Sequence, residues 1–227
     1  MKQKLKLCLI ILVSVILTIV IIFFVKEDFF NIVSIGDSMS KNCISTGIES
    51  VSFNDYLEEY FFKRHKLKNY NYEFSQEGLT ISELNEILDK NKIGRQSNIR
   101  FKQVLNKANL VIINIGMDEL ENLVFKEKFN NQNINLYLYN FSLFLKKIRM
   151  FYHKDIILIG LYPTRELNYD VIYNINNYLR KIVGEIDGRF VDITAISLNS
   201  SYYASGKDYH FNNLGHEEIF NLIVKNL

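Results

Sequence analysis

Asn31-Ile32-Val33-Ser34-Ile35-Gly36-Asp37-Ser38-Met39-Ser40 decides how this chain is read. A largely apolar run passes into a glycine and then into small polar side chains. This is the pattern of a buried strand delivered into a tight loop. The glycine allows a sharp turn that leaves Ser38 standing at a sheet edge. Gly, Asp and Ser are also ordinary turn residues, so Gly36-Asp37-Ser38 does not by itself make a site. Ser40 occupies the place where a Gly-x-Ser-x-Gly elbow carries its second glycine, which disfavours an α/β-hydrolase elbow.

Outward from this loop, short apolar runs alternate with longer amphipathic stretches. Strands are predicted at residues 32–35, 70–74, 110–115, 156–161 and 190–193. Helical periodicity covers about 53–66, 80–91, 134–152 and 171–185, and a last amphipathic stretch runs over 214–227. Thr80-Ile81-Ser82-Glu83 is a capping box that marks a helix start. Strands alternating with helices predict an α/β fold, a five-stranded parallel sheet with both faces covered. The continuous apolar character of the strands suits burial on both sides. In such a sheet, function sits in the loops that follow the strands. Residues 92–98 read as a plain loop, and no repeat, low-complexity tract or second domain is evident.

The chain has 227 residues, enough for one ordinary domain of ~100–200 residues plus something small. Its 26 Asn against 3 Ala do not signal disorder, because Ile, Leu, Phe and Tyr are plentiful. A net charge of +2 carries no polyanion footprint and argues against nucleic acid as a partner. Two cysteines exclude a disulfide-stapled scaffold, and their spacing offers no zinc motif.

Residues 7–25 form a run of 19 residues without a charge. As a helix it would span roughly 28 Å, about the hydrocarbon thickness of a bilayer. Lys2, Lys4 and Lys6 precede it, so by the positive-inside rule the N-terminus stays cytoplasmic and the rest is exported. A cleaved signal peptide wants a shorter core and small residues before the cut, whereas this run ends in Phe23-Phe24-Val25. A lipoprotein signal would place its cysteine after the run, but Cys8 lies near its start. A buried core helix is seldom so uniformly apolar.

The organisation expected is therefore a basic cytoplasmic tail at 1–6, a transmembrane signal-anchor at 7–25, a short linker at 26–30 and one domain at 31–227. The domain would lie outside a bacterial cell membrane, tethered by a single pass. Setting aside the three lysines before the run leaves 24 basic and 25 acidic residues outside, so the positive balance is a topology signal. Cys43 is alone on the exported side, with no intramolecular disulfide available to it.

A serine at a sheet edge needs a base to become a nucleophile. His65 sits in Lys63-Arg64-His65-Lys66, the pattern of a solvated helix face, and His153 ends a helix, where the dipole favours a cation. His210 and His216 lie just before the last helix, in a loop after the final strand that can reach the edge where Ser38 stands. His210 has Asp208 two residues before it, whereas His216 falls inside the helix, so His210 is the better base.

From about residue 31 to the C-terminus the chain resembles the SGNH (GDSL-type) hydrolases. Gly36-Asp37-Ser38 matches the family's first block, Gly78-Leu79-Thr80 its second, Gly116-Met117-Asp118-Glu119 stands at its third, and His210-Phe211-Asn212-Asn213-Leu214-Gly215 follows the spacing of its histidine block. Pro163, the only proline, also falls at a familiar family position. The resemblance implies a flavodoxin-like, three-layer α/β/α sandwich and an esterase, lipase, acetylesterase or acyltransferase activity. It makes Ser38 the nucleophile and His210 the base, with the Ser38 and Gly78 amides in the oxyanion hole. No metal or cofactor is implied.

Two positions depart from the family. Asp118 replaces the Asn whose amide donates to the oxyanion, and a carboxylate there would repel the developing charge. Three outcomes stay open: burial keeps Asp118 protonated and donating, it turns away and leaves the two backbone amides to act alone, or the site is inactive. The family's acid stands three residues before the histidine, where this chain has Lys207, so Asp208 is the expected partner and a Ser38–His210 dyad the alternative.

The expected function is an extracytoplasmic, membrane-anchored serine esterase acting on lipid or cell-envelope acyl and acetyl esters, with a small-molecule or envelope ester as its substrate. Its rivals are a pseudoenzyme that binds envelope glycan or lipid, and an acyltransferase using the same Ser38 and His210. The basic cluster Lys63, Arg64, Lys66 and Lys68 reads as a solvated face. A tether of about six residues would favour lipid or inner-envelope esters over distant polymer. Sequence leaves the oligomeric state open.

Overall fold

The strand that delivers Ser38 is an interior strand of a five-stranded sheet. In the computed structural model, which describes residues 13–15, 29–40, 51–94, 97–203 and 210–227, it is β1, Phe30–Gly36. The others are β2 (Leu67–Asn71), β3 (Leu110–Asn114), β4 (Asp155–Ile159) and β5 (Arg189–Val191). All pairs are parallel, and the spatial order is β2-β1-β3-β4-β5. All five residues of β3 are buried, as the apolar run requires when helices cover both faces.

The helices are α1 (Phe53–Lys63), α2 (Ile81–Asp89), α3 (Phe101–Lys107), α4 (Met117–Phe125), α5 (Asn131–Phe151), α6 (Tyr169–Glu185), the short α7 (Thr194–Ser197) and α8 (Asn213–Lys225). They fall into two groups by contact: α1 with α8, and α5 with α2, α3 and α6. Right-handed crossovers assign these groups to opposite faces, because the chain moves from β1 to β2 one way and returns past β1 to β3 the other way. The reversal makes the crevice between β1 and β3, at the strands' carboxyl ends, the place where such sheets bind ligands.

Several boundaries differ from the sequence reading. β2 covers Leu67–Asn71 rather than 70–74, because it is an edge strand with its middle residues exposed and its apolar content does not mark it. Phe74 belongs to the following loop, where it fills the core against Phe101 with ring centroids 4.6 Å apart. The helices α3 and α4 are not marked in the sequence: α3 has only 7 residues, too few for a periodicity to show, and α4, as long as α2, starts at Gly116 with no side-chain cap to announce it. α5 starts at Asn131 because the Asn130 side chain caps it by accepting from the Asn133 amide. The capping box at Thr80 forms as read, with the Thr80 side chain accepting from Glu83 N and the Glu83 side chain accepting from Thr80 N. Among the described residues no helix is long and apolar enough to cross a membrane. The anchor expected at 7–25 lies outside them except for residues 13–15, which are helical.

Candidate active site

β1 ends in Gly36 because nothing larger fits. A Cβ there would sit 2.0 Å from the Asn114 carbonyl oxygen and 2.2 Å from the Ser40 hydroxyl. This close approach lets the Asp37 amide continue the ladder to Asn114 O at 3.1 Å, and the chain then turns into a single 3-10 turn, Ser38–Ser40. Ser38 is buried to 2% exposure but opens onto the crevice between β1 and β3.

Asp37 points the other way. One of its carboxyl oxygens accepts the Gly116 amide at 2.8 Å and the Met117 amide at 3.1 Å, so it holds the first turn of α4 beside the serine loop. Burial, with the Asp118 charge adding to it, pushes Asp37 from 3.8 up to about 8. The Gly116 backbone carries φ +120°, a conformation glycine tolerates, and its missing side chain leaves room for the Tyr137 hydroxyl. Asp37 is a structural brace that sequence reasoning passed over as the middle letter of a motif. Its signal was its place between the strand end and the serine.

His210 arrives from the far end of the chain. Phe211 is fully buried and packs at a tilt against the rings of Tyr162 and Tyr203, centroids 4.6 and 5.1 Å apart, which pins the loop. Asn212 then caps α8 by accepting from Gly215 N at 3.1 Å, while its amide donates to Ser201 O and Tyr203 O. The Asn-x-x-Gly spacing after the histidine is therefore an N-cap to N3 relationship. Fixed in this way, His210 brings Nε2 to 3.1 Å from Ser38 Oγ.

The remaining histidines take no part. His65 and His153 are exposed, His65 at a left-handed position just past α1. His216 is buried in α8, where Nδ1 accepts from the Phe53 amide at 3.4 Å, and burial pulls it down to about 4. It is a core histidine. Asp208, expected to orient His210, lies outside the described residues, as does Cys43.

The second and third blocks meet at the same point. The Gly78 amide and the Ser38 amide both aim at one position, and that position holds the Asp118 carboxylate. Asp118 Oδ2 accepts from Gly78 N at 2.8 Å and from Ser38 N at 3.2 Å, and Oδ1 accepts from the Ser38 hydroxyl at 2.6 Å. From sequence the side chain can donate, turn away or mark an inactive site, and the first two are statements about its direction. It does neither, since it turns inward and accepts.

Glu119, the next residue, accepts from Ile81 N at 2.8 Å and so fastens α4 to the start of α2, beside the Gly78 loop. The resulting open cleft of about 370 Å³ is lined by Ser38, Glu77, Gly78, Asp118, Glu121, Asn122, Phe125 and His210. Burial raises Glu121, partly opposed by its short hydrogen bond from the Thr164 hydroxyl. Among the described residues, no group of three His, Cys, Asp or Glu side chains could hold a metal ion.

A buried serine with an imidazole nitrogen at hydrogen-bond distance and two backbone amides aimed at one seat can carry out acyl transfer. The same conclusion follows from comparison. Residues 32–223 match the family model described as GDSL-like Lipase/Acylhydrolase. The chain belongs to that family. Membership makes it a serine ester hydrolase, and Ser38, Gly78 and His210 stand on the loops where the resemblance had put them.

The fold is shared with solved structures of low identity. The lipase Lip_vut3 from a goat rumen metagenome is 19% identical with a TM-score of 0.68, covering 86% of this chain and 96% of that one. Axe2, an acetylxylan esterase from Geobacillus stearothermophilus, is 15% identical with a TM-score of 0.66, covering 88% and 95%. LAE5, an alpha/beta hydrolase enzyme from the metagenome of Lake Arreo, is 18% identical with a TM-score of 0.63, covering 86% and 94%. No curated protein matches the chain by sequence.

Proposed function

We propose that this family member is a membrane-anchored, extracytoplasmic serine esterase in which Ser38 is the nucleophile and His210 the base. His210 Nε2 takes the Ser38 proton as Oγ attacks an ester carbonyl, and the carbonyl oxygen takes the negative charge against the Ser38 and Gly78 amides. The intermediate collapses as the alcohol leaves with the proton from His210, giving an acyl-enzyme on Ser38. Water then repeats the cycle and releases the acid. Asp208 is the proposed orienter of the imidazole, whose alignment is what an acid mainly supplies. The observation that carries the reading is the 3.1 Å approach of His210 Nε2 to Ser38 Oγ.

The anchor at 7–25 belongs to this proposal, and the sheet gives it a direction. β1 enters at Phe30 and reaches Ser38 at its far end, about 20 Å away at 3.3 Å per residue. A tether leaving the membrane just before Phe30 therefore joins the edge opposite the cleft. This polarity supports soluble or polymer-borne acyl and acetyl esters as substrates, and weakens the preference for anchoring-membrane lipid that the short tether had suggested.

The full chain, purified in detergent, tests the chemistry with a fluorophosphonate probe. Labelling that is abolished in Ser38→Ala is expected. Absence of labelling, or equal labelling of that variant, would overturn the serine mechanism. Hydrolysis of p-nitrophenyl esters of increasing acyl length then separates acetate from long-chain preference.

A further inference from the structure

We propose that Asp118 is an internal occupant of the oxyanion seat: its carboxylate caps the Ser38 and Gly78 amides and holds the Ser38 hydroxyl until substrate displaces it. The inference rests on the serine-esterase reading of Ser38 for its kinetic meaning, and on three hydrogen bonds for its geometry.

One planar group fills both positions that a reacting ester would need. Asp118 Oδ2, bound at 2.8 and 3.2 Å by the two amides, takes the place of the carbonyl oxygen. Asp118 Oδ1, at 2.6 Å from Ser38 Oγ, takes the direction of the hydroxyl proton. A serine hydroxyl has one proton to give. While that proton lies toward Asp118, it is not lying toward His210 Nε2 at 3.1 Å, and the imidazole has no proton to remove.

Asp118 is also held where it can do this. It lies in the first turn of α4, which Asp37 grips through the Gly116 and Met117 amides. Glu119 ties the same turn to Ile81 N, three residues beyond Gly78. The seat and its occupant are thus fixed on one framework, and opening breaks the three hydrogen bonds to Ser38 and Gly78 as the Asp118 side chain rotates into the cleft. Asn122, one turn along α4, lines that cleft and offers an amide to receive the carboxylate.

The resting enzyme is accordingly slow because its hole is filled. Replacing the carboxylate releases the amides from a charged acceptor whether or not the new side chain can donate: Asp118→Ala leaves them no side-chain acceptor, and Asp118→Asn only a weaker, neutral carbonyl. Two variants of the full chain separate this from a plain loss of a donor. Asp118→Asn empties the charge and adds an amide; Asp118→Ala empties the charge and adds nothing.

Both are expected to raise the second-order rate of fluorophosphonate labelling, and kcat/KM on p-nitrophenyl acetate, by at least roughly ten-fold, the range of one or two charge-assisted hydrogen bonds. A rise in Asp118→Asn with a fall or no change in Asp118→Ala would overturn the inference, as would no rise in either.

A readout independent of turnover is the amide proton resonance of Ser38 and Gly78. Both are expected to move upfield in Asp118→Ala, because the carboxylate that deshields them is gone, and unmoved resonances would overturn the inference. If Ser38 never labels in any variant while both resonances move, the internal contact stands and the esterase reading falls. If Ser38 labels and the resonances stay, the esterase reading stands and the internal occupant falls. Asp118→Ser serves in place of Asp118→Ala should that variant not fold.

Discussion

His210 Nε2 lies 3.1 Å from the Ser38 hydroxyl although 172 residues separate the two in sequence. Neither residue reaches the other through its own element. β1 delivers the serine and the Phe211 plug delivers the histidine, so the pairing is a property of the assembled tertiary fold. His210→Gln keeps a polar side chain of similar reach and removes the proton acceptor strength of imidazole. Its kcat on p-nitrophenyl acetate is expected to fall by about 10²–10⁴-fold with a smaller change in KM, the usual worth of a positioned general base. Steady-state kinetics on the folded variant checks this. An unchanged kcat would remove His210 from the mechanism.

Among the described residues, the cleft beside Ser38 is lined by Glu77, Asp118 and Glu121 and by no lysine or arginine. Such a field repels an anionic substrate, and salt screens the repulsion over about 10 Å at 0.1 M. Esters matched in size but differing in charge should therefore separate. A succinyl ester is expected to show lower kcat/KM than its neutral counterpart at low ionic strength, with the gap narrowing as salt is added. Paired measurements at two salt concentrations decide the point.

Asp37 is held neutral to about pH 8, against an ordinary value of 3.8, by burial and by the neighbouring Asp118 charge. Between those values the folded state holds a proton that the unfolded state has lost. Stability from this group is therefore complete below about pH 4 and declines as pH rises through about 8. Asp37→Asn keeps an acceptor for the Gly116 and Met117 amides and cannot titrate. The thermal midpoint of the wild type relative to this variant is expected to drop between pH 5 and pH 8. A constant difference would mean that Asp37 is charged throughout.

Gly36→Ala tests the approach of the serine loop to β3. The added Cβ would meet backbone at Asn114 O, 2.0 Å away, so β1 and β3 must separate at the point where Ser38 leaves the sheet. Overpacking of a tight interior costs roughly 1–3 kcal/mol, and a backbone clash places this case at the upper end. Denaturant midpoints should show the loss, and any folded variant should label more slowly because Ser38 is displaced.

Local chemistry made much of this legible. The apolar run before Gly36, the capping box at Thr80 and the Asn212-to-Gly215 spacing are read within a turn or a strand, where neighbours in sequence are neighbours in space. The edge strand β2 was misplaced by three residues at each end, because a half-exposed strand lacks the apolar run that marks a central one. The helix α4 was missed because no side-chain cap marks its start at Gly116, although it carries Asp118. Asp37 hid as a motif letter, since its value lies in two amides found 79 and 80 residues away.

What the sequence by itself determined was which loops hold the chemistry: alternating apolar runs and amphipathic stretches read as a parallel α/β sheet, whose function sits in the loops after the strands, and that alternation is written by short-range sterics and burial. What only the tertiary structure decided was the direction of one side chain. Asp118 reads from sequence as a failed donor. In the folded chain its carboxylate accepts from Ser38 and Gly78, because amides 40 and 80 residues away converge on it. Hydrogen-bond direction depends on distances between elements, and no periodicity along the chain records those distances.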